Sequence, residues 1–531
     1  MKTIRVMGTS IYRDVPLKHE RESHKNATQD IFDELIVPNG FSHAPWLWVK
    51  VDSIYFSYDG EADNGKELSG RETFEWENLE REHNERETSQ TNLPELGRPV
   101  SVELSVLTQK IYDYDRETVL SEEADISIAE YRPYFVSIIV KLDDNDEANR
   151  KAYEFFKEMG NRWVEADLLS TNEIDKGDNV FNASLVCSAS PFQIFNKKIL
   201  IKTLSGKYFF NGIDINDLVK ADYNTGIFAL SFKTQKDIED EITRSWRPSG
   251  YDYIDIYNVG HGNADYIVCG KKRILYDIGY QYKKYPNNST TLFPKATWSF
   301  SNLKPGLVIL SHWDSDHFMG CVYASDDIFN VNWIAPALTR NGDSTFSLNA
   351  FRLAAFLRAT GKLMLVERKS DGSFAADTGS ESDYRLMLRM GASTASETGN
   401  ITYRNREGLY IEIYDEDQAD TLLSGDVPYN SMCDDFFGKK SIKYLHVPHH
   451  CSQMMLDKLD RSKWSGTDQY AVISTDKKKN VSAYNEHAKH RKSLGTKFGT
   501  NVRYTIGALS RNVDEIRSIR LLKDGGPQER V

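Results

Sequence analysis

The chain has 531 residues, of which 40% are hydrophobic and 12% aromatic, a composition that excludes global disorder and supports more than one core. Five scattered cysteines without a CxxC pair argue against a disulfide framework or a cysteine-rich zinc module and predict a reducing, cytoplasmic location. The net charge of −12 is uneven: residues 1–250 contain 30 Lys and Arg against 45 Asp and Glu, whereas residues 251–531 contain 36 against 33. No apolar run approaches the roughly 18 residues that cross a bilayer, so no membrane association is expected.

Residues 1–245 are predicted to form a β-rich α+β region of unknown fold. Strand patterns occur at 46–51 and 100–106, and the apolar spacing over 147–160 predicts an amphipathic helix. Residues 59–98 are highly charged and poor in aliphatic side chains, which indicates a mobile insertion. The region carries no chemical motif. Its acidic charge is the basis for expecting a surface that binds a protein partner or a second copy of the chain.

A second domain is predicted over residues 250–531, after a boundary at 246–250 that contains Pro and Gly. Its strands end in polar residues, and active sites of layered α/β folds are commonly built on such strand ends. Apolar spacing over 347–361 predicts a helix. The strand patterns lie at 253–259, 264–269, 273–276, 306–310, 409–414, 419–423 and 442–445.

The strand ends of this domain concentrate side chains that bind metals. Two imidazoles and two carboxylates fall within six residues after the strand at 306–310, and a loop at a strand end can aim such groups into one volume. Asp426 and the pair His449 and His450 follow two later strands. Asp and His are ligands of divalent metals, and two ions about 3.5–4 Å apart need several such ligands and a bridging group. The first four candidates are His312, Asp314, Asp316 and His317.

Four short motifs occur in order along this domain: Asp277-Ile278-Gly279, the HxDxDH run at 312–317, Gly425-Asp426 and His449-His450-Cys451-Ser452. In this order they resemble the metallo-β-lactamase superfamily, and most closely the hydrolase domain of ComEC-type competence proteins. In that branch an earlier element reads roughly DVGQGDA, where this chain has residues 258–264, and a later NxxxHP corresponds to residues 484–487 without the proline. The resemblance covers about residues 250–515 and implies an αββα sandwich.

The resemblance also implies two divalent ions, Zn²⁺ or Mn²⁺, that share a bridging carboxylate from Asp426. No histidine occurs between His317 and His446, where metallo-β-lactamases themselves place a ligand, so one ion is left short of a donor. Asp314 replaces the second histidine of the commoner HxHxDH, and the larger share of oxygen makes Mn²⁺ as plausible as Zn²⁺. The implied ligands are His312 and Asp314 for one ion, Asp316 and His317 for the other, and His450 as the last.

Further roles follow from the same resemblance. His449 would face a substrate phosphate, and His487 would contact that phosphate or act as a general acid. Asp316 is a candidate proton acceptor besides its ligand role. Asp277 would orient the ligand loop rather than touch metal, and His261, in a glycine turn, is expected to be a supporting residue. The alternating pattern around His446, outside this set, predicts a satisfied core or interface histidine rather than a ligand.

The predicted function is the metal-dependent hydrolysis of phosphodiesters, as in a nuclease that uses a metal-activated water. Two alternatives stay open: a phosphodiesterase that acts on a small phosphodiester or nucleotide messenger, and a catalytically degenerate protein that binds or scaffolds. Residues 441–531 carry 17 Lys and Arg against 9 Asp and Glu. This charge suits a polyanionic substrate such as nucleic acid, and it equally suits a solvated surface.

Overall fold

The chain divides into two compact units. Unit 1 comprises residues 1–52, 101–230 and 344–361, and unit 2 comprises residues 53–100, 231–343 and 362–531. The structure is a computed structural model that describes residues 47–61, 67–75, 98–108, 111–112, 115, 135–142, 146–160, 162–169, 179–187, 195–202, 209–210, 213–214, 232–257, 259, 262–279, 303–339, 347–379, 383–393, 403–416, 418–452, 454–474, 488–505 and 518–530.

Helices and strands alternate irregularly along the described chain. The helices are α1 (Asp146–Met159), α2 (Gln235–Ser245), α3 (Ser315–Phe318), α4 (Leu348–Ala359), α5 (Tyr403–Arg406), α6 (Asp434–Phe437), α7 (Asp457–Arg461) and α8 (Ala488–Phe498). Short 3-10 helices lie at Met319–Tyr323, Asp326–Asn330, Tyr429–Ser431, Pro448–Cys451 and Gly499–Asn501. The first strands are β1 (Leu47–Glu61), β2 (Glu67–Glu75), β3 (Arg98–Thr108), β4 (Val136–Lys141), β5 (Val164–Leu169), β6 (Val180–Cys187), β7 (Phe195–Ile201), β8 (Phe209–Phe210) and β9 (Ile213–Asp214).

Unit 1 is built on antiparallel strands. Strand β4 pairs with β3 and β6, β6 pairs with β7, and β7 pairs with β5. The predicted helix over 147–160 is confirmed as α1, which buries Phe156 and Met159. The predicted helix over 347–361 is confirmed as α4. Although it comes from the middle of the chain, α4 belongs to unit 1, where a buried ion pair joins Arg352 to Asp115 at 3.1 Å.

Unit 2 contains two mixed sheets with helices, an α/β organisation. The first has the strand order β15-β14-β13-β12-β11-β10-β23-β24, and the second has the order β16-β17-β18-β19-β20-β21-β22. One apolar cluster contains buried side chains from both sheets, among them Ile274 of the first and Leu388 of the second. The strands are β10 (Tyr253–Tyr257), β11 (Asp265–Cys269), β12 (Lys272–Tyr276), β13 (Leu307–Ile309), β14 (Asn332–Pro336), β15 (Leu363–Val366), β16 (Ala375–Asp377), β17 (Tyr384–Met390), β18 (Leu409–Asp415), β19 (Gln418–Leu423), β20 (Tyr444–His446), β21 (Tyr470–Ile473), β22 (Val502–Tyr504), β23 (Ser518–Leu522) and β24 (Gln528–Arg530).

Each sheet of unit 2 has a run of parallel strands, and these runs position the polar strand ends. Strands β12 to β15 are parallel in the first sheet, and β19 to β22 are parallel in the second. Carboxyl ends of neighbouring parallel strands meet at the same edge of a sheet. The residues that follow β12 and β13 therefore lie at one edge of the first sheet, and those that follow β19 and β20 lie at one edge of the second.

Helix α2 lies in unit 2, ahead of the predicted boundary at 246–250. Thr234 caps it: its hydroxyl accepts from the backbone N–H of Asp237, whose side chain accepts from the N–H of Thr234. The helix buries Ile238 and Ile242 in the cluster shared by the two sheets. The indole N–H of Trp246 then donates to a backbone carbonyl of β17 at 2.9 Å. Packing of α2 explains why unit 2 begins before the Pro-Gly segment.

Some sequence predictions concern residues that the structure describes only in part. Strand β2 lies inside the predicted insertion, but residues 76–97 lie outside the described residues, so the mobility of residues 59–98 stays a prediction. Within the described part of the chain, no helix has both the length and the apolar character needed to cross a membrane.

Candidate metal centre

Four side chains that follow three different strands converge in unit 2. Asp316 and His317 lie in α3, directly after β13. Asp426 follows β19, and His450 follows β20. Each of the four offers one ligand atom, and these atoms all lie within 4.8 Å of one another. Nε2 of His317 is 3.3 Å from Oδ1 of Asp426, and Nε2 of His450 is 3.8 Å from the same oxygen. We call this group the first cluster.

The other carboxylate oxygen of Asp426 faces different imidazoles. Its Oδ2 is 3.6 Å from Nε2 of His449 and 3.8 Å from Nε2 of His312. Nε2 of His312 is also 3.1 Å from Oδ2 of Asp314. We call His312, Asp314 and His449 the second cluster. Asp426 therefore presents one oxygen to each cluster, which is the arrangement that a bridging carboxylate requires.

The histidines are oriented by partners outside the clusters. Nδ1 of His317 lies 2.7 Å from Oδ2 of Asp277, and Nδ1 of His450 donates to the backbone carbonyl of Ser474 at 2.9 Å. A histidine whose Nδ1–H donates outward carries its lone pair on Nε2, which is the atom that faces the cluster. Metal-binding histidines are held in this way by carboxylates and carbonyls.

Serine hydroxyls orient the histidines of the second cluster. Oγ of Ser311 donates to Asp277 at 2.8 Å, so it accepts from Nδ1 of His312, which lies 2.9 Å away. Oγ of Ser452 lies 2.6 Å from Nδ1 of His449. Imidazoles on both sides of Asp426 thus have partners behind them.

Asp277 lies behind the clusters rather than in them. It is fully buried, and its Oδ1 accepts from the backbone N–H of Ser311 at 2.7 Å. With this bond, the contact to the Ser311 hydroxyl and the contact to His317, both carboxylate oxygens are used. Asp277 thus contacts both the loop after β13 and the ring of His317, and its orienting role toward a metal ligand stays a prediction.

The backbone of the site adopts conformations that only its packing can maintain. His449, His450 and Cys451 have φ of 48°, 52° and 70°, in the left-handed region that side chains with a Cβ rarely occupy. Such residues cost on the order of 1–3 kcal/mol each and occur mainly at functional sites. At Gly279 the constraint is steric, because a Cβ there would lie 1.7 Å from the carbonyl oxygen of Asp316.

The electrostatics of the site favour a positive charge at the first cluster. Burial acts to lower the pKa of His317, but neighbouring carboxylates, first among them that of Asp426, raise it well above its usual value. Burial acts to raise the pKa of Asp426, but three imidazoles, first that of His317, hold it well below its usual value. At His312, burial and the charge of His317 lower the pKa to about 4, so this ring is neutral at pH 7.

The residues present fit a divalent cation. Nε2 of His317 and Oδ1 of Asp426 are buried and make no well-aligned hydrogen bond within the described part of the chain. Leaving such polar atoms buried and unsatisfied costs about 1–3 kcal/mol each, more when the group is charged, and a bound cation would offset that cost. Imidazole nitrogens together with carboxylate oxygens suit both Zn²⁺ and Mn²⁺.

The structure brings most of the predicted site residues together, but it leaves some predictions open. His261 and His487 lie outside the described residues, so their supporting and catalytic roles stay predictions. His446 lies in the core, as predicted: its Nδ1 is 2.8 Å from Oδ2 of Asp265, and both residues are buried. The predicted residues that converge are His312, Asp314, Asp316, His317, Asp426, His449 and His450.

Two residues at the site were not found from the sequence. Ser311 ends the apolar run of β13 and contacts both His312 and Asp277, but a lone serine at a strand end carries no recognisable signal. Asn405 of α5 is 2% exposed, and its Nδ2 lies 3.5 Å from Nε2 of His312. The signal for Asn405 was indirect, since the sequence lacks a histidine ligand in the segment between His317 and His446.

Comparison with known proteins adds only distant likenesses. No family model matches the sequence, and no curated protein does. Among solved structures, the metallo-β-lactamase fold protein YhfI from Bacillus subtilis is 13% identical, with a TM-score of 0.29 over 48% of this chain and 98% of its own. Igni18, a metallo hydrolase from Ignicoccus hospitalis, is 11% identical, with a TM-score of 0.27 over 51% of this chain and 98% of its own. Identities and TM-scores this low carry no functional argument, so the functional conclusion rests on the residues of this chain.

Proposed function

We propose that the chain is a divalent-metal-dependent hydrolase that cleaves phosphodiesters, with nucleic acid as its substrate and two ions at the candidate centre. The observation that carries the proposal is the placement of Asp426, whose two oxygens face two separate groups of metal-binding side chains. One oxygen facing each cluster is what a pair of ions sharing one carboxylate needs. We also propose that the two sheets of unit 2 form the αββα sandwich implied by the sequence motifs.

The ions would supply a nucleophilic water of lowered pKa and charge compensation for the phosphoryl oxygens. The chain's own residues would hold this centre in place. Asp316, His317 and His450 would bind one ion, His312 and Asp314 would bind the other, and Asp426 would bridge the two. His449 lies beside Asp426 with Nδ1 near the hydroxyl of Ser452, which leaves its Nε2 on the inside, where it can contact a phosphate or the second ion.

A polyanionic substrate is supported by the cationic surface of helix α8. Lys489 and Lys492 are exposed on this helix, whereas His490 between them is buried. Nδ1 of His490 donates to the backbone carbonyl of Ser452 at 2.9 Å, so the helix is anchored to the segment that carries His449. The exposed lysines therefore belong to a helix that is tied to this segment, and we propose that they contact the phosphate backbone of a polymer.

The test is cleavage of end-labelled single- and double-stranded DNA and RNA in Mn²⁺, with the wild type beside Asp316→Ala and Asp426→Ala. We expect cleavage by the wild type alone, with both variants folded and inactive. Full activity in either variant would refute the two-ion assignment. A small chromogenic phosphodiester run in parallel reports on chemistry without a polymer.

Charge variants separate nucleic acid from a small substrate. The double variant Lys489→Ala and Lys492→Ala is expected to weaken binding of a long polymer and to reduce its salt dependence, while cleavage of the small phosphodiester stays unchanged. Equal polymer binding by this variant and the wild type would favour a small phosphodiester or a nucleotide messenger. Absence of bound metal from the purified protein and failure to take up Mn²⁺ or Zn²⁺ would favour a binding or scaffold protein.

A further inference from the structure

If His449 faces the substrate phosphate, as proposed above, the second ion has one donor fewer from the chain than the first. The first cluster combines Asp316, His317, His450 and one oxygen of Asp426 within 4.8 Å. Around Oδ2 of Asp426, His312 and Asp314 lie close together, and with His449 turned to the phosphate these three side chains supply three donors. An ion there would need a further donor from the chain or from solvent, because divalent ions in such sites take at least four ligands.

The side chain amide of Asn405 lies beside the cluster-facing nitrogen of His312. Its Nδ2 atom is 3.5 Å from Nε2 of His312, and the residue is 2% exposed. That distance is longer than the 2.7–3.2 Å of an ordinary hydrogen bond, so the contact is a weak one as it stands. Two ligand atoms that each bind one ion at about 2.1 Å are separated by about 3–4 Å, which includes the distance observed here.

The orientation of an amide also matters. The oxygen and nitrogen of an asparagine side chain are interchangeable by a half-turn that leaves its position unchanged. With a cation bound at His312 Nε2, this half-turn would direct the Asn405 oxygen toward the ion and the amide nitrogen away from it. Helix α5 is anchored next to β13 through its neighbours, since Leu409, just after the helix, donates its N–H to the carbonyl of Ser311 at 2.8 Å.

We propose that Asn405 is a ligand of the second cation, donating its amide oxygen beside His312 and Asp314. This inference rests on the proposed two-ion centre and specifies it further. An amide oxygen is a harder ligand than an imidazole nitrogen. The second site would therefore favour harder ions than it would with a histidine in place of Asn405. The second cation is therefore expected to be Mn²⁺ or Mg²⁺ in preference to Zn²⁺.

The experiment measures metal binding rather than turnover. Metal-free protein is titrated with Mn²⁺ by calorimetry, and the number of ions retained is counted after desalting. Electron paramagnetic resonance distinguishes a coupled Mn²⁺ pair from a single ion. We compare the wild type with Asn405→Ala, Asn405→Asp and Asn405→His, and use Asn330→Ala as the matched control because Asn330 is an exposed asparagine of the same unit.

The wild type is expected to bind two Mn²⁺ ions. Asn405→Ala should weaken the second ion about tenfold or more, leave the first unchanged and replace the coupled signal with that of a single ion. Asn405→Asp should tighten the second ion, whereas Asn405→His should shift the preference of the second site toward Zn²⁺. Asn330→Ala should match the wild type.

The contrary outcomes are distinguishable. If Asn405→Ala binds two ions with wild-type affinities, the inference is wrong and the two-ion proposal stands. If Asn405→Asp weakens the second ion, the amide acts as an N–H donor to His312 and not as an oxygen ligand, which also overturns the inference. If the wild type binds no ion or only one, both the inference and the two-ion function fail together. Asn405→Asp and Asn405→His keep the test decisive should the alanine variant not fold.

Discussion

Asp277 offers a sharp test of how the candidate centre is organised, because the chain contains a matched pair elsewhere. Asp277 and His317 are both buried, and Oδ2 lies 2.7 Å from Nδ1. Asp265 and His446 are also both buried, at 2.8 Å between the same atoms, but neither belongs to a cluster. Replacing either aspartate with asparagine puts a neutral amide in place of the carboxylate beside Nδ1 of a buried histidine.

At Asp277 the substitution alters the tautomer of a cluster histidine. The backbone N–H and the hydroxyl of Ser311 both donate to Asp277, so the amide oxygen of Asp277→Asn would keep one of these donors and the amide nitrogen would turn toward His317. An amide N–H facing Nδ1 forces the proton of His317 onto Nε2, the atom that faces Asp426. Asparagine tolerates the φ of 58° at this position, so backbone strain is not added.

The expected loss of metal affinity is about 10–100-fold, as for other residues that orient metal-binding histidines, which is about 1.4–2.7 kcal/mol. Both Asp277→Asn and Asp265→Asn lose a charge-assisted hydrogen bond worth about 1.5–3 kcal/mol of the free energy of unfolding of the metal-free protein. Only the first should lose affinity for Mn²⁺ and Zn²⁺. The assays are urea unfolding without metal and calorimetric titration with it.

The reasoning is refuted if Asp277→Asn keeps the metal affinity of the wild type, or if Asp265→Asn loses as much affinity as Asp277→Asn. The first result would mean that the tautomer of His317 does not control the cluster. The second would mean that metal binding follows overall stability, and that the outward contact of His317 has no special role.

Three further perturbations test other parts of the account. Asp426→Ala should abolish binding of both ions while the circular dichroism spectrum is kept, and retention of either ion would contradict the proposed bridging role. Gly279→Ala should lower metal affinity at least tenfold, because the new Cβ would lie 1.7 Å from the carbonyl oxygen of Asp316, whereas Gly306→Ala, whose Cβ would have its nearest neighbour at 3.6 Å, should bind metal normally. Leu388→Ala should cost about 2–5 kcal/mol of unfolding free energy in a urea titration and leave the metal affinity of the folded protein unchanged, because this side chain is fully buried in the cluster shared by the two sheets.

Local patterns in the sequence were sufficient for several elements of unit 2. The alternating or fully apolar runs of β10, β12 and β18 were predicted to within two residues, because burial on one or both faces imposes a period on the side chains. Strands β14 to β17 were not predicted. Strand β16 has only three residues, too few for a period to be visible, and β14 ends in a proline.

Which side chains meet at the site depends partly on contacts between residues far apart in the sequence. The HxDxDH run places four potential ligands in one loop, so its chemistry is local and visible in the sequence. The contribution of Asn405 is not local, because it depends on the path by which α5 approaches the end of β13. A lone asparagine has no period and no motif that could reveal this approach.

The sequence by itself determined the donor chemistry: imidazoles and carboxylates at the ends of strands, in an order that resembles a known hydrolase superfamily. Only the tertiary structure decided that the two oxygens of Asp426 face separate clusters, that α4 belongs to unit 1, and that His446 pairs with Asp265. The physical reason is that residue type and spacing fix which atoms a segment can offer, whereas the direction in which those atoms point is set by strand pairing and by packing between residues far apart in the chain.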